Sequence, residues 1–366
     1  MKREGHLFEK MISDENIRRA IFEVNRTHRT QHHRPNKTAE RVEADIDGSV
    51  KALRAMAEDE SFQFPKPRSF TIFDKSAGKE RNIKQPSIWP SQYLHHMAIQ
   101  AGEKIFMRGM DHWCCGSIRG RGAAYGMRGM KKWMKDDHNG TKWAMEADIH
   151  HFYDSLKPKA VMYRLRHIIK DERYLSFCEK MMGDGVSIGA YFSQWFANVT
   201  LQPVDAAIRK CGVDHYMRYM DNFTLLASSK RKLRNAKKEL ERRLRIIGLR
   251  LKGNWQIFRT EHRMVTALGY RFGHGFTLLR KRNLMRLKRQ TARVLKIMRR
   301  KAKVSFQAAS GLISRIGQLT HCNSENIRKK YIPRGLLKQL KNIVRKECKK
   351  WKALNTFSVT TETPWS

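Results

Sequence analysis

Apolar positions recur along the chain with two different periods. Residues 1–60 read as polar and helical, with NKTAERVEADIDGSVKALRAMAEDE carrying helix-forming composition. Pro65 and Pro67 interrupt that pattern. Ser69–Phe73 then alternates as a strand does, Lys75–Gly78 supplies a turn, and Arg81–Ile83 predicts a return strand. Residues 92–110 resume helical spacing. Trp143–Ile149 predicts a strand, and Pro158 opens a helix with Val161, Leu165, Ile168 and Ile169 on one side. GVSIGAYFSQWFAN begins with a Gly-containing turn at Gly185 and continues as a helix through Ser193–Val204, with Gln194, Asn198 and Gln202 at every fourth position. YMRYMDNFTLL places two apolar runs around Asp221–Asn222. Both residues tolerate positive φ, so the pair predicts a two-residue hairpin turn. Further on, Leu284, Leu287, Val294, Leu295 and Met298 give a basic segment one packable side. No internal repeat or long low-complexity tract is visible.

Composition narrows the class. The chain has 366 residues and 40% are hydrophobic, enough for a core and for two to three domains at about 150 residues each. Its 75 Lys and Arg against 34 Asp and Glu leave a net charge of +41. An excess this large repels itself, and a polyanion relieves the repulsion. Nucleic acid fits better than a membrane surface, because the charge is spread along much of the chain. No Asp or Glu lies between Glu261 and Glu325. Within that stretch Arg280, Arg282, Lys288, Arg289 and Arg293 predict a surface held against a phosphate backbone without base readout. A solvated helix face is the plain alternative. Six cysteines form no CxxC pair, which disfavours zinc-finger and disulfide scaffolds. The N-terminus is too charged for a signal peptide, and no apolar run approaches the ~18 residues of a membrane span. A reducing, cytoplasmic setting is expected, with no membrane partner.

Candidate chemistry concentrates in the middle. Asp148 falls near a strand end beside Phe152 and Tyr153, poised at a cleft, although a strand-end Asp can simply cap the next element. Asp221 on a hairpin tip beside it would add a second carboxylate. Two such groups repel unless cations lie between them. Two Mg²⁺ ions about 4 Å apart would relieve this and clamp an in-line phosphoryl displacement. The bland reading of Asp221–Asn222 is only a turn. Gly116, Gly120, Gly122 and Gly126 interleave with Arg119, Arg121 and Arg128, a composition suited to phosphate or to a solvated loop. The polar stripe on the Ser193–Val204 helix is either an ordinary amphipathic face or a platform beneath a base pair.

The order ADIHHFYDSL, GVSIGAYFSQWFAN and YMDN resembles the palm motifs of reverse transcriptases. GLRLKGNWQIF and TALGYRFGHGFTLLRKR look like the following palm and primer-grip segments, while KSAGKERNI and CGSIRGRGAAYG resemble fingers segments. The likeness covers roughly residues 65–300. It implies an α+β right-hand polymerase. Residues 1–64 would form an N-terminal helical extension, 65–140 fingers, 141–275 an antiparallel-sheet palm, 276–350 a basic helical thumb and 351–366 a disordered tail. It further implies RNA-templated DNA synthesis from dNTPs with two Mg²⁺ ions, or Mn²⁺ as a substitute. Asp148 and Asp221 would be the catalytic, metal-binding carboxylates, with the Ile149 carbonyl and Asn222 as further metal ligands. Arg81 and Arg119 would hold the triphosphate, with Lys79 and Arg121 as weaker candidates. Tyr153 would sense the sugar, and Gln194 would lie under the incoming base pair. Ile188 falls in a segment implicated in how strictly template adenine is read. Lys252 is either a proton donor to pyrophosphate or surface charge.

Ile188-Gly189 followed after three residues by Ser193-Gln194 matches the IGxxxSQ form found in diversity-generating retroelements of bacteria and phages. Group II intron and retron enzymes carry a QGxxxSP-like form, and the NAxxH and VTG features of retron enzymes are missing here. That subtype implies mutagenic copying of a template repeat in a bacterial cytoplasm, with a structured template RNA and a small basic accessory protein as partners. Alternatives are a phage-defence reverse transcriptase or a catalytically weak RNA-binding relative. The latter arises because Asn222 stands where the family usually has a second Asp. Ser187 also departs from the family, where Pro is common, and suggests no function.

Overall fold

The structure is a computed structural model that describes residues 3–32, 36–74 and 78–356. The chain begins with helices α1 (Leu7–Met11), α2 (Asp14–His32), α3 (Lys37–Ala44) and α4 (Ile46–Glu58), then strands β1 (Arg68–Asp74) and β2 (Lys79–Gln85), then α5 (Tyr93–Arg108) and α6 (Ala123–Asp136). Its middle contains β3 (Trp143–Asp148), α7 (Phe152–Ser155), α8 (Pro158–Arg166), α9 (Glu172–Met182), α10 (Tyr191–Lys210), β4 (His215–Tyr219), β5 (Asn222–Ala227) and α11 (Lys230–Ile246). Short strands β6 (Gln256–Arg259), β7 (Val265–Ala267), β8 (Tyr270–Gly273) and β9 (Phe276–Leu279) precede α12 (Lys281–Arg299), α13 (Phe306–Gln318), α14 (Glu325–Tyr331) and α15 (Leu336–Thr356).

Local chemistry sets many of these boundaries. The Asn36 side chain accepts from the Thr38 and Ala39 amides at the start of α3, and Asp45 accepts from the Gly48 amide at the start of α4. Each satisfies a helix-start donor that would otherwise lack a partner. Pro158 opens α8 at a position where its missing N–H costs nothing. β1 and β2 pair antiparallel from Arg68↔Gln85 to Asp74↔Lys79, longer than the Arg81–Ile83 return strand expected from the pattern. Part of the expected Lys75–Gly78 turn, residues 75–77, lies outside the described residues.

The chain divides into two compact units: Met1–Gly126 with Trp143–Ile257, and Met127–Lys142 with Phe258–Ser366. In the first, α5 and α10 are nearly all-round buried and form the centre of a single apolar core. A four-stranded sheet in the order β4-β5-β3-β6 lies with them, and α11 packs against β3 and β5. Helices segregated from antiparallel strands make this an α+β fold.

The second unit joins the end of α6 to the antiparallel β7-β8-β9 sheet and the C-terminal helices. Thr260 Oγ1 donates to the Thr141 carbonyl at 2.7 Å, and the His274 and His138 rings stack at 4.5 Å. Tyr270 donates its hydroxyl to the Gln318 carbonyl at 3.0 Å. These ties hold the second unit together. Residues 127–142 and 258–275 are fastened to the helical end of the chain. α15 also runs to Thr356, into the stretch expected as a tail, while residues 357–366 lie outside the described residues. Among the described residues, no helix is long and apolar enough to cross a membrane.

Candidate active site

β3 and β5 run antiparallel in a register that ends at Asp148↔Asn222. β4 and β5 pair as far as Tyr219↔Asn222, so the two turn residues are Met220 and Asp221. This corrects the Asp221–Asn222 turn expected from sequence. Met220 takes the positive φ, 56°, that the tight hairpin needs, and Asn222 is released to open β5. The Ile149 amide donates to the Asp221 carbonyl at 3.2 Å. Asp148 and Asp221, 73 positions apart by number, therefore stand on adjoining strand ends. Both are half-buried, while Asn222 is exposed and its Nδ2 donates to Asp221 Oδ1 at 2.9 Å.

A further stretch borders Asp148. The His150 amide donates to the Arg250 carbonyl at 2.9 Å, and the Lys252 amide donates to the Asp148 carbonyl at 2.8 Å. These two bonds occupy the carbonyls of Arg250 and Asp148 and leave that of Ile149 out of this pairing, although Ile149 faces Leu251. Lys252 Nζ lies 4.0 Å from Asp148 Oδ2, a distance at which an exposed ammonium is loosely held.

Tyr153, on α7, is half-buried. Burial pushes its phenol pKa well up, the Asp221 charge adds to that, and Arg81 draws it down. One ring is thus in electrostatic reach of both the hairpin carboxylate and β2. The Ile188 carbonyl accepts from the Lys84 amide of β2 at 3.0 Å. Gly189 beside it has φ 115°, and a Cβ there would stand 2.8 Å from the Lys84 carbonyl oxygen, so the docked loop requires glycine. Gln194 is exposed in the first turn of α10.

Other expected residues lie elsewhere. Arg119 is exposed and forms its ion pair with Glu23 of α2 at 3.5 Å, and Arg121 Nη1 donates to the Asp111 carbonyl. The Lys79 side chain lies outside the described residues. In the second unit, Arg280 is the exposed residue immediately before α12, and Arg282, Arg289 and Arg293 are exposed along it. Arg289 and Arg293 lie roughly opposite the buried Leu287, Thr291 and Val294, on a side shared with Lys296 and Arg300. Lys288 does not join that side, because its ammonium sits 4.3 Å from the centre of the Tyr331 ring.

Oxygen donors at Asp148 and Asp221 suit a hard divalent ion. Among the described residues, no group of three or more His, Cys, Asp or Glu side chains gathers as a metal cluster. Remaining ligands must then be neutral oxygens or water. That suits Mg²⁺, which commonly binds through one or two carboxylates and keeps several waters. Sequence reasoning missed the fully buried Arg218–Asp205 pair beneath the hairpin. Its signal was an Arg at the centre of the apolar run YMRYM and, in Asp205, the single acidic residue of α10.

Residues 109–272 match the family model described as reverse transcriptase (RNA-dependent DNA polymerase). No curated protein matches the chain. Among solved structures, apo telomerase from Candida tropicalis is similar with a TM-score of 0.49 and 12% identity, covering 84% of this chain and 61% of that one. Telomerase from Candida albicans in complex with a TWJ fragment of telomeric RNA has a TM-score of 0.46 and 8% identity, covering 84% and 66%. The chain thus spans about three fifths of the Candida tropicalis chain. The matched residues 109–272 include both strand-end carboxylates and the Met220–Asp221 hairpin, so the chain is similar to reverse transcriptase domains over the stretch that holds the candidate site.

Proposed function

We propose that the whole protein copies an RNA template into DNA, and that the copying is mutagenic and serves a diversity-generating retroelement. The observation that carries catalysis is the register Asp148↔Asn222 together with the Ile149–Asp221 backbone bond. It brings two acidic side chains from separate strands to one edge. Asp148 and Asp221 would hold the divalent ions, with the unpaired-in-ladder Ile149 carbonyl and the Asn222 amide oxygen as neutral ligands. Bound there, such ions would supply charge neutralisation for an attacking hydroxyl and a departing pyrophosphate.

The chain's own residues do the rest. Arg81 would grip the triphosphate through charge-assisted bonds. Tyr153 would present its ring to the sugar and exclude a 2′-hydroxyl. Ile188, docked on β2, and Gln194 would border the base pair. Arg119 would serve the triphosphate after exchanging Glu23 for it, a modest cost for an exposed pair. The basic side of α12 would follow the phosphates of a nucleic acid duplex. The mutagenic subtype rests on the Ile188-Gly189 and Ser193-Gln194 residues. A structured template RNA and a small basic accessory protein would be its partners.

Primer extension on a defined RNA template with dNTPs and Mg²⁺ tests this reading. Asp148→Ala and Asp221→Ala are each expected to lower the rate at least about 100-fold, since each removes charge stabilisation worth several kcal/mol. Wild-type protein that binds primed RNA but never extends it refutes catalysis. Product sequencing tests the subtype: errors concentrated opposite template adenine support it, and untemplated polymer supports the defence alternative.

A further inference from the structure

A buried clamp lies beneath the proposed catalytic hairpin. Arg218 of β4 and Asp205 of α10 are 0% and 1% exposed as side chains. Arg218 Nε and Nη2 each donate at 2.7 Å to one oxygen of Asp205. Its Nη1 donates to Asn198 Oδ1 at 2.8 Å and to the Met220 carbonyl at 2.9 Å. Four bonds thus run from one planar guanidinium, a geometry no lysine reproduces. Asn198 in turn donates through Nδ2 to the Gly116 carbonyl at 2.9 Å. A Cβ on Gly116 would stand 2.7 Å from the Met220 amide nitrogen, so that loop lies directly against the turn.

A buried ion pair is a poor way to stabilise a core, because desolvation offsets most of the Coulomb gain. Burial works against the charge on Arg218, yet Asp205 and its neighbours hold the guanidinium well above the usual arginine range. Here the geometry offers another use. Met220 has the left-handed backbone of the turn, and its carbonyl is fixed by Arg218 while its amide is backed by Gly116. The next residue is Asp221. Asn198 links the same guanidinium to the Cys114–Arg121 loop, whose Cys115 amide also donates to the Arg218 carbonyl at 2.8 Å.

We propose that Arg218, with Asp205, Asn198 and Gly116, is a positioning device that fixes Met220 and so sets the Asp221 carboxylate for divalent-metal binding. This rests on the reading of Asp221 as a metal-binding carboxylate. None of the four residues needs to touch substrate.

Two variants separate positioning from packing. Gly116→Ala leaves the ion pair intact and forces Met220 to move. Asp205→Leu combined with Arg218→Met replaces the pair by apolar side chains, a change that often leaves stability unaltered or raised. Mn²⁺ affinity, followed by electron paramagnetic resonance of the free ion, is measured beside primer-extension kinetics and thermal unfolding. For each folded variant, Mn²⁺ affinity is expected to fall about tenfold, as when outer partners of metal ligands are removed. kcat is expected to fall about 100-fold with the KM for dNTP little changed. Folded variants with wild-type Mn²⁺ affinity and kcat overturn the proposal. A wild-type protein that extends no primer refutes the polymerase reading instead, and the Mn²⁺ comparison still decides the clamp. Loss of folding in the double variant leaves the decision to Gly116→Ala.

Discussion

Asn222 occupies a point where a carboxylate would change both stability and metal binding, and Asn222→Asp measures that trade. Its Nδ2 now donates to Asp221 Oδ1 at 2.9 Å. Substitution removes a bond worth about 1 kcal/mol. It also sets two negative oxygens at that distance, which costs about 1.4 kcal/mol in a water-like dielectric, appropriate because Asn222 is exposed. Asp148 sits directly across the strand pair, and like charges facing each other there add a few tenths of a kcal/mol. Metal-free protein is therefore expected to lose about 2–3 kcal/mol. Excess Mg²⁺ is expected to recover most of it, since three carboxylates bind the ion more tightly and ligand binding adds to folding free energy. Urea unfolding with chelator and with Mg²⁺, for both proteins, reads this directly. Primer extension by the variant is expected to match or exceed wild type. Equal stability of the two proteins in chelator, with no larger Mg²⁺ gain in the variant, refutes the reasoning and removes Asn222 from the metal site.

Other expectations follow from individual side chains. Tyr153→Ala is expected to raise ribonucleotide use relative to dNTPs at least about tenfold in kcat/KM, because the ring that would exclude a 2′-hydroxyl is gone. Arg81→Ala is expected to raise the KM for dNTP by about 10- to 100-fold, the loss of one charge-assisted bond pair. Arg289→Ala and Arg293→Ala together are expected to weaken duplex binding uniformly across sequences. Every phosphate that is no longer neutralised should reduce the slope of log affinity against log salt by about 0.9. Burial, with a smaller push from His96, lowers the pKa of His95 to about 3; burial, with a smaller push from His28, lowers that of His96 to about 4. Both are neutral when folded, so their contribution to stability is complete above the unfolded pKa near 6.5 and is lost as pH falls towards 4. At pH 5 the loss is about 2 kcal/mol for each. Urea unfolding at pH 7.5 and 5 should show it, and His95→Phe should flatten the dependence. Unchanged stability across that range would contradict the burial argument.

Legibility of the site in the sequence depended on what places each residue. Asp148 and Asp221 were readable because strand ends and tight turns are local events, marked by alternation and by residues that tolerate positive φ. The turn itself lies one position earlier than propensity places it. Met220 is a poor candidate for left-handed backbone on propensity, yet it adopts φ 56°. Arg218 and Gly116 hold it there through contacts that no local pattern announces. The helical spacing of Lys281–Arg299 was likewise visible, but the capture of Lys288 by Tyr331 comes from a helix more than 40 positions away. Arg119 takes its triphosphate role from the resemblance of its segment to a fingers motif, and the Glu23 that pairs with it lies 96 positions earlier in the chain, where no local pattern points to it.

The same distinction orders the consequences of mutation. Asp148, Ile149, Asp221 and Asn222 are fixed relative to one another by backbone register, so a side-chain change there alters chemistry while the frame stays. Met220 is fixed by side chains from β4, α10 and the Cys114–Arg121 loop, so changes in those side chains alter the frame itself. A turn held this way gains from a buried guanidinium in particular. Arg218 can satisfy a carboxylate, an amide and a backbone carbonyl at once from one rigid plane, which leaves the turn carbonyl no low-cost alternative partner. Arg218→Lys would keep the charge but could not keep all those bonds. Its expected effect is therefore lower metal affinity in a protein that still folds, rather than the simple loss of an ion pair.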